Sequence, residues 1–193
     1  MLPDRYNRLG VARPLRFVSY IESTGTQYID TGVLPDYENG DSTSISFYQA
    51  NYTGASPCVF GSRESGVRNG VYLLGSGLTV ADADGYSTVS LTSTTGDHVL
   101  TVSDTAVIYD GASKTMPRHV TVGLPMYLFA LNNYGSGTFG IYNGMKLYDW
   151  RFYRSGTLAQ HLVPALLQGV PGMWDMVSRT FYGNAGTGTF NYA

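Results

Sequence analysis

The sequence carries little charge and only one cysteine. Charged residues make up 13% of its 193 residues, against about 25% in an average soluble domain. The formal net charge of -2 gives no argument for nucleic acid as a partner of the whole domain. Cys58 is the single cysteine, which excludes an intrachain disulfide and a cysteine metal cluster, and we expect it to be a buried, inert thiol.

Long apolar runs are missing as well. The chain has no run of about 18 apolar residues, so the sequence predicts no membrane-spanning helix. Residues 1–17 lack the uninterrupted apolar segment of a secretory signal. We therefore expect a protein that binds neither membranes nor nucleic acid.

The chain is rich in glycine, threonine and tyrosine instead. Its 24 glycines are about 12% of the residues, where about 7% is usual, and it has 16 tyrosines. This composition favours sheets joined by tight turns. Abundant tyrosine in a chain with few charged residues favours a surface that contacts another protein. At this length we expect one domain with a core that needs no metal or disulfide.

From Phe17 onward, short runs of β-branched and aromatic residues alternate with turn clusters. No segment keeps a helical apolar period; residues 157–168 come closest, but Pro164 interrupts them. The pair Asp110-Gly111 is a strong hairpin signal. About a dozen short strands without helices between them predict an all-β fold, an antiparallel β-sandwich.

The longest candidate strand covers residues 145–153. In it Tyr148, Trp150 and Phe152 alternate with Asp149 and Arg151. Because successive side chains of a strand point to opposite faces, the three aromatic side chains should share one face. We therefore predict that Trp150 lies in the core, with Tyr148 and Phe152 on the same side.

Residues 1–16 differ from the rest and predict an extended basic N-terminal arm ahead of a sandwich domain at 17–193. Prolines and a glycine in this stretch disfavour a regular element. The arm is either a solvated tail or an anchor on a neighbouring subunit, and we favour the anchor. Its candidate assembly contacts are four arginines: Arg5, Arg8, Arg13 and Arg16.

No convincing catalytic motif is present, and we predict that the protein is not an enzyme. A glycosidase needs two carboxylates about 5–9.5 Å apart across the sugar, and the glutamates form no closely spaced acidic motif. The histidines show neither metal-ligand spacing nor a nucleophile motif beside them. These residues are Glu22, Glu38 and Glu64, and His98, His119 and His161.

Two further motifs point to turns rather than to cofactors. Residues 82–85 (DADG) suggest calcium, but the third ligand and the distal glutamate of a calcium loop are missing, so a hairpin turn is favoured. Residues 135–140 (GSGTFG) match a dinucleotide fingerprint, which requires a helix that the following residues do not predict. We predict no cofactor and no metal in either motif, while a calcium site assembled from distant loops stays open.

Five tyrosines are predicted to be exposed, in or beside loops and strand ends. Exposed tyrosine either contacts another protein or stacks on a sugar ring, and protein contact is the commoner use. The five are Tyr37, Tyr48, Tyr52, Tyr134 and Tyr142.

The two ends of the chain carry a family resemblance. Residues 19–32 (SYIESTGTQYIDTG) and 181–190 (FYGNAGTGTF) resemble the opening and closing strands of concanavalin A-like, laminin G-type jelly rolls of bacteriophage structural proteins. Further segments resemble landmarks of that family in the same order: residues 60–63, 127–132, 146–158, 163–164 and 172–175. The resemblance covers residues 17–190.

The resemblance implies a jelly roll used as a building or adhesion module. The function that we expect is that of a non-enzymatic virion protein, in a capsid decoration, head fibre or tail, that packs against other virion proteins and forms homo-oligomers. The alternative is a module of a phage fibre or bacterial surface protein that binds a host glycan. A shared fold does not choose between these functions.

Overall fold

The computed structural model describes residues 14–51, 56–64, 66–74, 77–83, 87–92, 94–116, 121–135 and 137–193. These residues form strands and one short 3-10 helix, Tyr37–Asn39, with no α-helix among them. The strands make two sheets, which share one apolar core in the manner of a β-sandwich. The predicted all-β class is confirmed.

The larger sheet has eleven strands, numbered along the chain. Its main path runs through β11 (Ala112–Thr115), β10 (Ala106–Tyr109), β9 (Gly96–Val102), β4 (Ser42–Gln49), β15 (Lys146–Arg154), β16 (Thr157–Leu167), β17 (Val170–Asp175) and β18 (Phe181–Gly183). Three short strands extend it: β1 (Arg16–Phe17) pairs with β16, β2 (Ile21–Glu22) pairs with β15, and β19 (Asn191–Tyr192) pairs with β2.

The smaller sheet has eight strands. Its main path runs through β14 (Gly137–Phe139), β13 (Leu131–Asn133), β5 (Cys58–Glu64), β6 (Val67–Leu74), β7 (Gly77–Ala83) and β8 (Ser87–Thr92). A further strand, β12 (Tyr127–Leu128), pairs with both β5 and β3 (Ile29–Asp30). Strands β5 and β13 run parallel, and the other ladders between described strands run antiparallel.

A single apolar cluster fills the space between the sheets. Phe47, Leu100 and Trp150 enter it from the larger sheet, and Val71 and Leu78 enter it from the smaller one. All five are at most 1% exposed. Burying a side chain of this kind stabilises a fold by about 1.5–3 kcal/mol, so this cluster is the main source of stability. The predicted position of Trp150 in the core is confirmed.

A β-bulge in β15 changes the face to which Tyr148 points. Leu147 pairs with Phe47 and Asp149 pairs with Ser46, so Tyr148 is an extra residue with no partner in β4. The extra residue shifts the alternation by one. As a result Leu147 and Trp150 are both buried, whereas Tyr148 points away from the core. The prediction that Tyr148 shares a face with Trp150 and Phe152 is wrong.

The longest strand is β16, with 11 residues, and not the predicted segment at 145–153. Proline is disfavoured inside sheets because it cannot donate a ladder hydrogen bond. Pro164 is tolerated because the neighbour on one side changes there: pairing with β15 ends at Leu162, and pairing with β1 begins at Ala165. Pro164 still contributes its carbonyl, which accepts from the Val18 amide at 3.1 Å.

The opening and closing motifs meet in the folded chain, as the sequence predicts. The Tyr28 amide donates to Asn184 Oδ1 at 3.2 Å, and the Ala185 amide donates to the Tyr28 carbonyl at 2.9 Å. A glycine is required at position 186, because a Cβ there would clash with the Thr26 carbonyl. The closing motif is therefore a turn shaped to receive the opening one.

The opening turn is held by one buried amide. Gln27 is 1% exposed, and its Oε1 accepts from the Thr24 amide at 2.7 Å and from Ser23 Oγ at 3.3 Å. Its Nε2 donates to the hydroxyls of Thr24 and Thr26, both at 2.9 Å. The Ser, Thr and Gln residues of this motif are thus structural.

The hairpin predicted at Asp110-Gly111 is confirmed. Tyr109 pairs with Ala112, and the two turn residues have φ values of 49° and 83°, the positive values of a type I′ turn. The Asp110 carboxylate also accepts from the Val99 amide at 2.9 Å and contacts His98 Nδ1 at 2.7 Å. The aspartate therefore both makes the turn and ties it to β9.

The basic arm falls mostly on residues that the structure does not describe. Arg5, Arg8 and Arg13 lie outside the described residues. Arg16 lies in β1, where it pairs with Leu166 and is exposed. The predicted boundary at residues 16–17 therefore falls inside a paired strand, and the extended arm stays a prediction.

Candidate functional site

The outer face of the larger sheet, the side away from the core, carries a cluster of tyrosines around one lysine. Asp97, Tyr48 and Lys146 are cross-strand partners in three neighbouring strands, so their side chains lie side by side. Lys146 Nζ lies 4.7 Å from the ring centre of Tyr20 and 5.0 Å from that of Tyr48. We call these four residues and Tyr148 the tyrosine cluster.

Tyr148 joins this cluster because of the bulge in β15. Its hydroxyl donates to Asp97 Oδ1 at 2.6 Å, and its ring meets that of Tyr20 edge to face with centroids 6.3 Å apart. Partial burial raises the pKa of Tyr148, and the hydrogen bond to the Asp97 carboxylate raises it further. The phenol is therefore a neutral donor at physiological pH, and the cluster is ordered by its own contacts.

A second polar group lies beside the tyrosine cluster on the same face. Asp149 Oδ2 contacts His161 Nε2 at 2.6 Å, and Asp149 Oδ1 contacts Arg151 Nε at 3.0 Å. The three side chains come from β15 and β16, where Arg151 and His161 are cross-strand partners. The Asp149 carboxylate is thus paired within the group, which resembles a structural ion-pair network more than a reactive centre.

Apolar side chains stand open next to these polar groups. Val99 is 50% exposed and Ile108 is 41% exposed. Val99 is the cross-strand partner of Ser46 in β4, and Ile108 is the cross-strand partner of Thr101 in β9. Because cross-strand partners share a face of the sheet, both apolar side chains point outward like Ser46 and Thr101. We call the tyrosine cluster, the Asp149 group, Val99 and Ile108 together the outer surface. It combines three tyrosines and two exposed apolar side chains, which are typical of a protein contact, with charged side chains that contact one another or the tyrosines.

A separate site lies at the rim of the smaller sheet. The Arg63 guanidinium is 5.4 Å from the ring centre of Tyr134 and 5.1 Å from that of Phe139. Its Nε donates to Asn133 Oδ1 at 2.5 Å. Arg68 is the cross-strand partner of Arg63 in the hairpin of β5 and β6. Arg63, Arg68 and Tyr134 line a cleft of about 90 Å³, and Asn133 and Phe139 contact Arg63. We call these five residues the arginine cleft.

The five tyrosines predicted to be exposed have four different outcomes. Tyr134 is 53% exposed, which confirms its prediction, and Tyr48 is half-buried in the tyrosine cluster. Tyr37 and Tyr142 are at most 2% exposed, so their predictions are wrong. Tyr52 lies outside the described residues.

The two buried tyrosines are accommodated because their hydroxyls have partners. Tyr37 Oη shares a hydrogen bond with Thr43 Oγ1 at 2.8 Å, and Tyr142 Oη donates to the Ala50 carbonyl at 2.8 Å. A phenol with a hydrogen-bonded hydroxyl can be buried at little cost. Both rings therefore add to the core instead of to a surface site.

The residues weighed for catalysis lie in different parts of the fold. Glu22 lies in β2, Glu38 in the 3-10 helix and Glu64 in β5. Among the histidines, His98 is buried against Tyr109, with ring centroids 4.9 Å apart, and His161 contacts Asp149. His119 lies outside the described residues.

The two motifs weighed for cofactors are found in strands and turns. Asp82 and Ala83 end β7, while residues 84–85 lie outside the described residues. Residues 137–139 form β14, and the residues after it form a bridge and a turn instead of a helix. Within the described residues, no group of three or more His, Cys, Asp or Glu side chains is placed to hold a metal.

Two further sequence expectations concern Cys58 and membranes. Cys58 is fully buried, and burial raises the pKa of its thiol, as expected for an inert cysteine. In the part of the chain that the structure describes, no helix has the length and apolar character needed to cross a membrane.

A buried carboxylate, Asp175, supports the outer surface from below. Its Oδ1 accepts from the amides of His161 and Val177, both at 3.0 Å, and its Oδ2 accepts from Ser178 Oγ at 2.6 Å. Burial alone would raise the pKa of Asp175, but these hydrogen bonds outweigh it and lower the pKa. The carboxylate thus fixes the backbone beside His161.

We expect Asp175 to make stability depend on pH. A carboxyl whose pKa is lowered in the fold stabilises fully above its unfolded pKa and loses that effect as pH falls through the folded pKa. Asp175→Asn should therefore cost about 1–3 kcal/mol of unfolding free energy at pH 6, and the difference should shrink as the pH falls below about 3.9, the pKa of an unfolded aspartate. Urea unfolding at a series of pH values measures it; parallel profiles for both proteins would contradict the assignment.

Sequence reasoning missed the arginine pair and most of the tyrosine cluster. Residues 65–66 (SG) are a two-residue turn signal that would have placed Arg63 opposite Arg68. Tyr20 and Lys146 come together only through the pairing of β2 with β15, for which the sequence carries no local signal.

Comparisons with protein-family models and with curated proteins find no match to this chain.

Proposed function

We propose that this chain is a non-enzymatic structural protein of a bacteriophage particle, a concanavalin A-like jelly roll that packs against other virion proteins and against copies of itself. Its position in the particle would be a capsid decoration, a head fibre or the tail. The observation that carries the proposal is the outer surface, where exposed Val99 and Ile108 adjoin ordered tyrosines.

The physical reason is the kind of contact that such a surface makes. Tyrosine gives a large, stiff contact area, and apolar side chains gain free energy when a partner covers them. Tyr48, Val99 and Tyr148 stand on β4, β9 and β15 in the middle of the larger sheet, so little ordering entropy is lost when they bind. Further support comes from the joined opening and closing motifs, which resemble those of phage jelly rolls.

The test is the composition of purified particles. Particles are purified on a density gradient from a culture that carries the gene for this chain, and their proteins are measured by mass spectrometry. We expect the protein in fixed proportion to the other virion proteins. The variant Val99→Glu/Ile108→Glu should fold but enter particles at least about tenfold less well, since it buries unpaired charge at the contact.

The matched control changes the other sheet. Ser90→Glu/Thr92→Glu places two charges at exposed positions of β8, on the outer face of the smaller sheet. We expect this variant to enter particles like the wild type. Absence of the wild-type protein from purified particles would refute the proposal, and equal incorporation of both variants would refute the outer surface as the contact.

A second candidate function is a glycan-binding module of a phage fibre or bacterial surface protein. The observation in its favour is Tyr134, which lines the arginine cleft and is 53% exposed, because aromatic faces stack on sugar rings. A glycan array probed with the purified protein distinguishes the two functions. Saturable binding to one sugar class supports this candidate, and a blank array with folded protein counts against it.

A further inference from the structure

Two arginines stand opposite each other on the outer face of the smaller sheet. Arg63 and Arg68 are cross-strand partners, so their side chains project on the same side. Like charges in this position repel each other. Among the described residues, neither guanidinium forms an ion pair with a carboxylate. The pair is thus a local concentration of positive charge in a chain of net charge -2.

Arg63 is held in place by its neighbours. Asn133 Oδ1 accepts from its Nε at 2.5 Å, and the rings of Tyr134 and Phe139 lie within 5.4 Å of its guanidinium carbon. These contacts use the Nε donor and the guanidinium face, and within the described part of the chain the terminal Nη groups donate no hydrogen bond. A guanidinium fixed in this way loses little entropy when it binds an anion.

The space beside the two arginines suits a small anionic group. The cleft has about 90 Å³, which is room for a carboxylate or a sulfate group. Glu64 also lines the cleft, but its Oε1 accepts from the Gly123 amide at 2.9 Å. The exposed ring of Tyr134 also lines the cleft, and an aromatic face of this kind is a stacking surface for a sugar ring.

We propose that the arginine cleft binds an acidic saccharide: its carboxylate or sulfate lies between Arg63 and Arg68, and its ring stacks on Tyr134. Planar guanidinium groups match these oxyanions with paired hydrogen bonds. The inference rests on the second candidate function, and it is independent of the packing proposal, which concerns the other sheet.

A nucleic acid is the competing ligand, since it also combines anions with stacking rings. Binding of single strands needs a positive groove that follows many successive phosphates. The cleft offers two arginines and one exposed tyrosine on a chain of net negative charge. One acidic group on one sugar fits this site better.

The experiment is calorimetric titration of the whole protein with tetragalacturonate, which carries carboxylates, and with a heparin tetrasaccharide, which also carries sulfates. We expect saturable binding of at least one that weakens as salt is raised. Arg68→Gln and Tyr134→Asn should each weaken it at least about tenfold. Asparagine suits position 134 because the φ of Tyr134 is 58°.

Arg179→Gln is the matched control, because it removes an exposed arginine that lies outside the cleft, and it should bind like the wild type. Melting temperatures check that the variants fold, and Arg68→Gln should melt no lower than the wild type because it relieves the repulsion with Arg63.

Each other outcome overturns a defined part of the inference. Equal binding of a neutral galactose tetrasaccharide would support the glycan-binding module but refute its preference for acidic sugars. No binding of any saccharide would refute both the glycan-binding module and the acidic-saccharide site. If inorganic sulfate binds as tightly as the saccharides, the sugar contact at Tyr134 is refuted. If an oligothymidylate binds more tightly than the saccharides, the ligand class is a nucleic acid and not a saccharide.

Discussion

Replacing Trp150 by alanine is expected to lower the free energy of unfolding by about 3–5 kcal/mol. Trp150 is fully buried between the sheets, parallel to the ring of Phe152 with centroids 6.1 Å apart. Among the described residues its Nε1 has no hydrogen-bond partner, so the loss comes from packing and from the cavity left behind. Urea unfolding followed by circular dichroism measures the change.

Tyr148→Ala is the control that tests the bulge. Simple alternation puts Tyr148 in the core with Trp150, in which case both substitutions would cost several kcal/mol. With the bulge, Tyr148 lies on the outer surface, and we expect its loss to cost about 1 kcal/mol or less. Equal losses for the two variants would show that the bulge is wrongly placed.

Replacing Phe190 by alanine is expected to cost about 3–5 kcal/mol. Phe190 is 2% exposed and packs against Phe129, with ring centroids 5.1 Å apart. It anchors the closing motif over the core, so its loss should also loosen the contact between Tyr28 and Asn184. Equilibrium unfolding measures the first effect, and amide hydrogen exchange at Tyr28 and Ala185 measures the second.

The control for Phe190 lies two residues away on the same segment. Tyr192 is 44% exposed, and its replacement by alanine should cost about 1 kcal/mol or less and leave the exchange rates at Tyr28 and Ala185 unchanged. If Tyr192→Ala were as damaging as Phe190→Ala, the segment would be stabilised by its edge pairing with β2 instead of by its aromatic anchor.

The sequence predicted the parts of the fold that local patterns encode. Alternation, glycine spacing and the Asp110-Gly111 turn were sufficient for the all-β class, for the core position of Trp150 and for one hairpin. Composition alone indicated that Cys58 is buried, since one cysteine in a chain without metal motifs most often packs as a small apolar side chain.

The errors have one physical origin, which is that exposure depends on distant segments. The alternation rule fails at Tyr148 because a bulge is set by pairing with β4. Tyr37 and Tyr142 resemble surface residues of loops until partners for their hydroxyls, at Thr43 and Ala50, are brought near by the fold. The arginine cleft likewise combines β5, β6, β13 and β14, and only the hairpin of β5 and β6 has a local signal that identifies it.

The joining of the two end motifs has a consequence for folding kinetics. The Tyr28 amide and the Asn184 side chain are 156 residues apart in the chain, so the loop between them must be ordered before their contact gains anything. Chains dominated by such long-range pairing fold in milliseconds to seconds rather than microseconds. During synthesis, the apolar surface that Phe190 covers stays open until residue 190 has left the ribosome, so a chaperone would have its best opportunity to bind there.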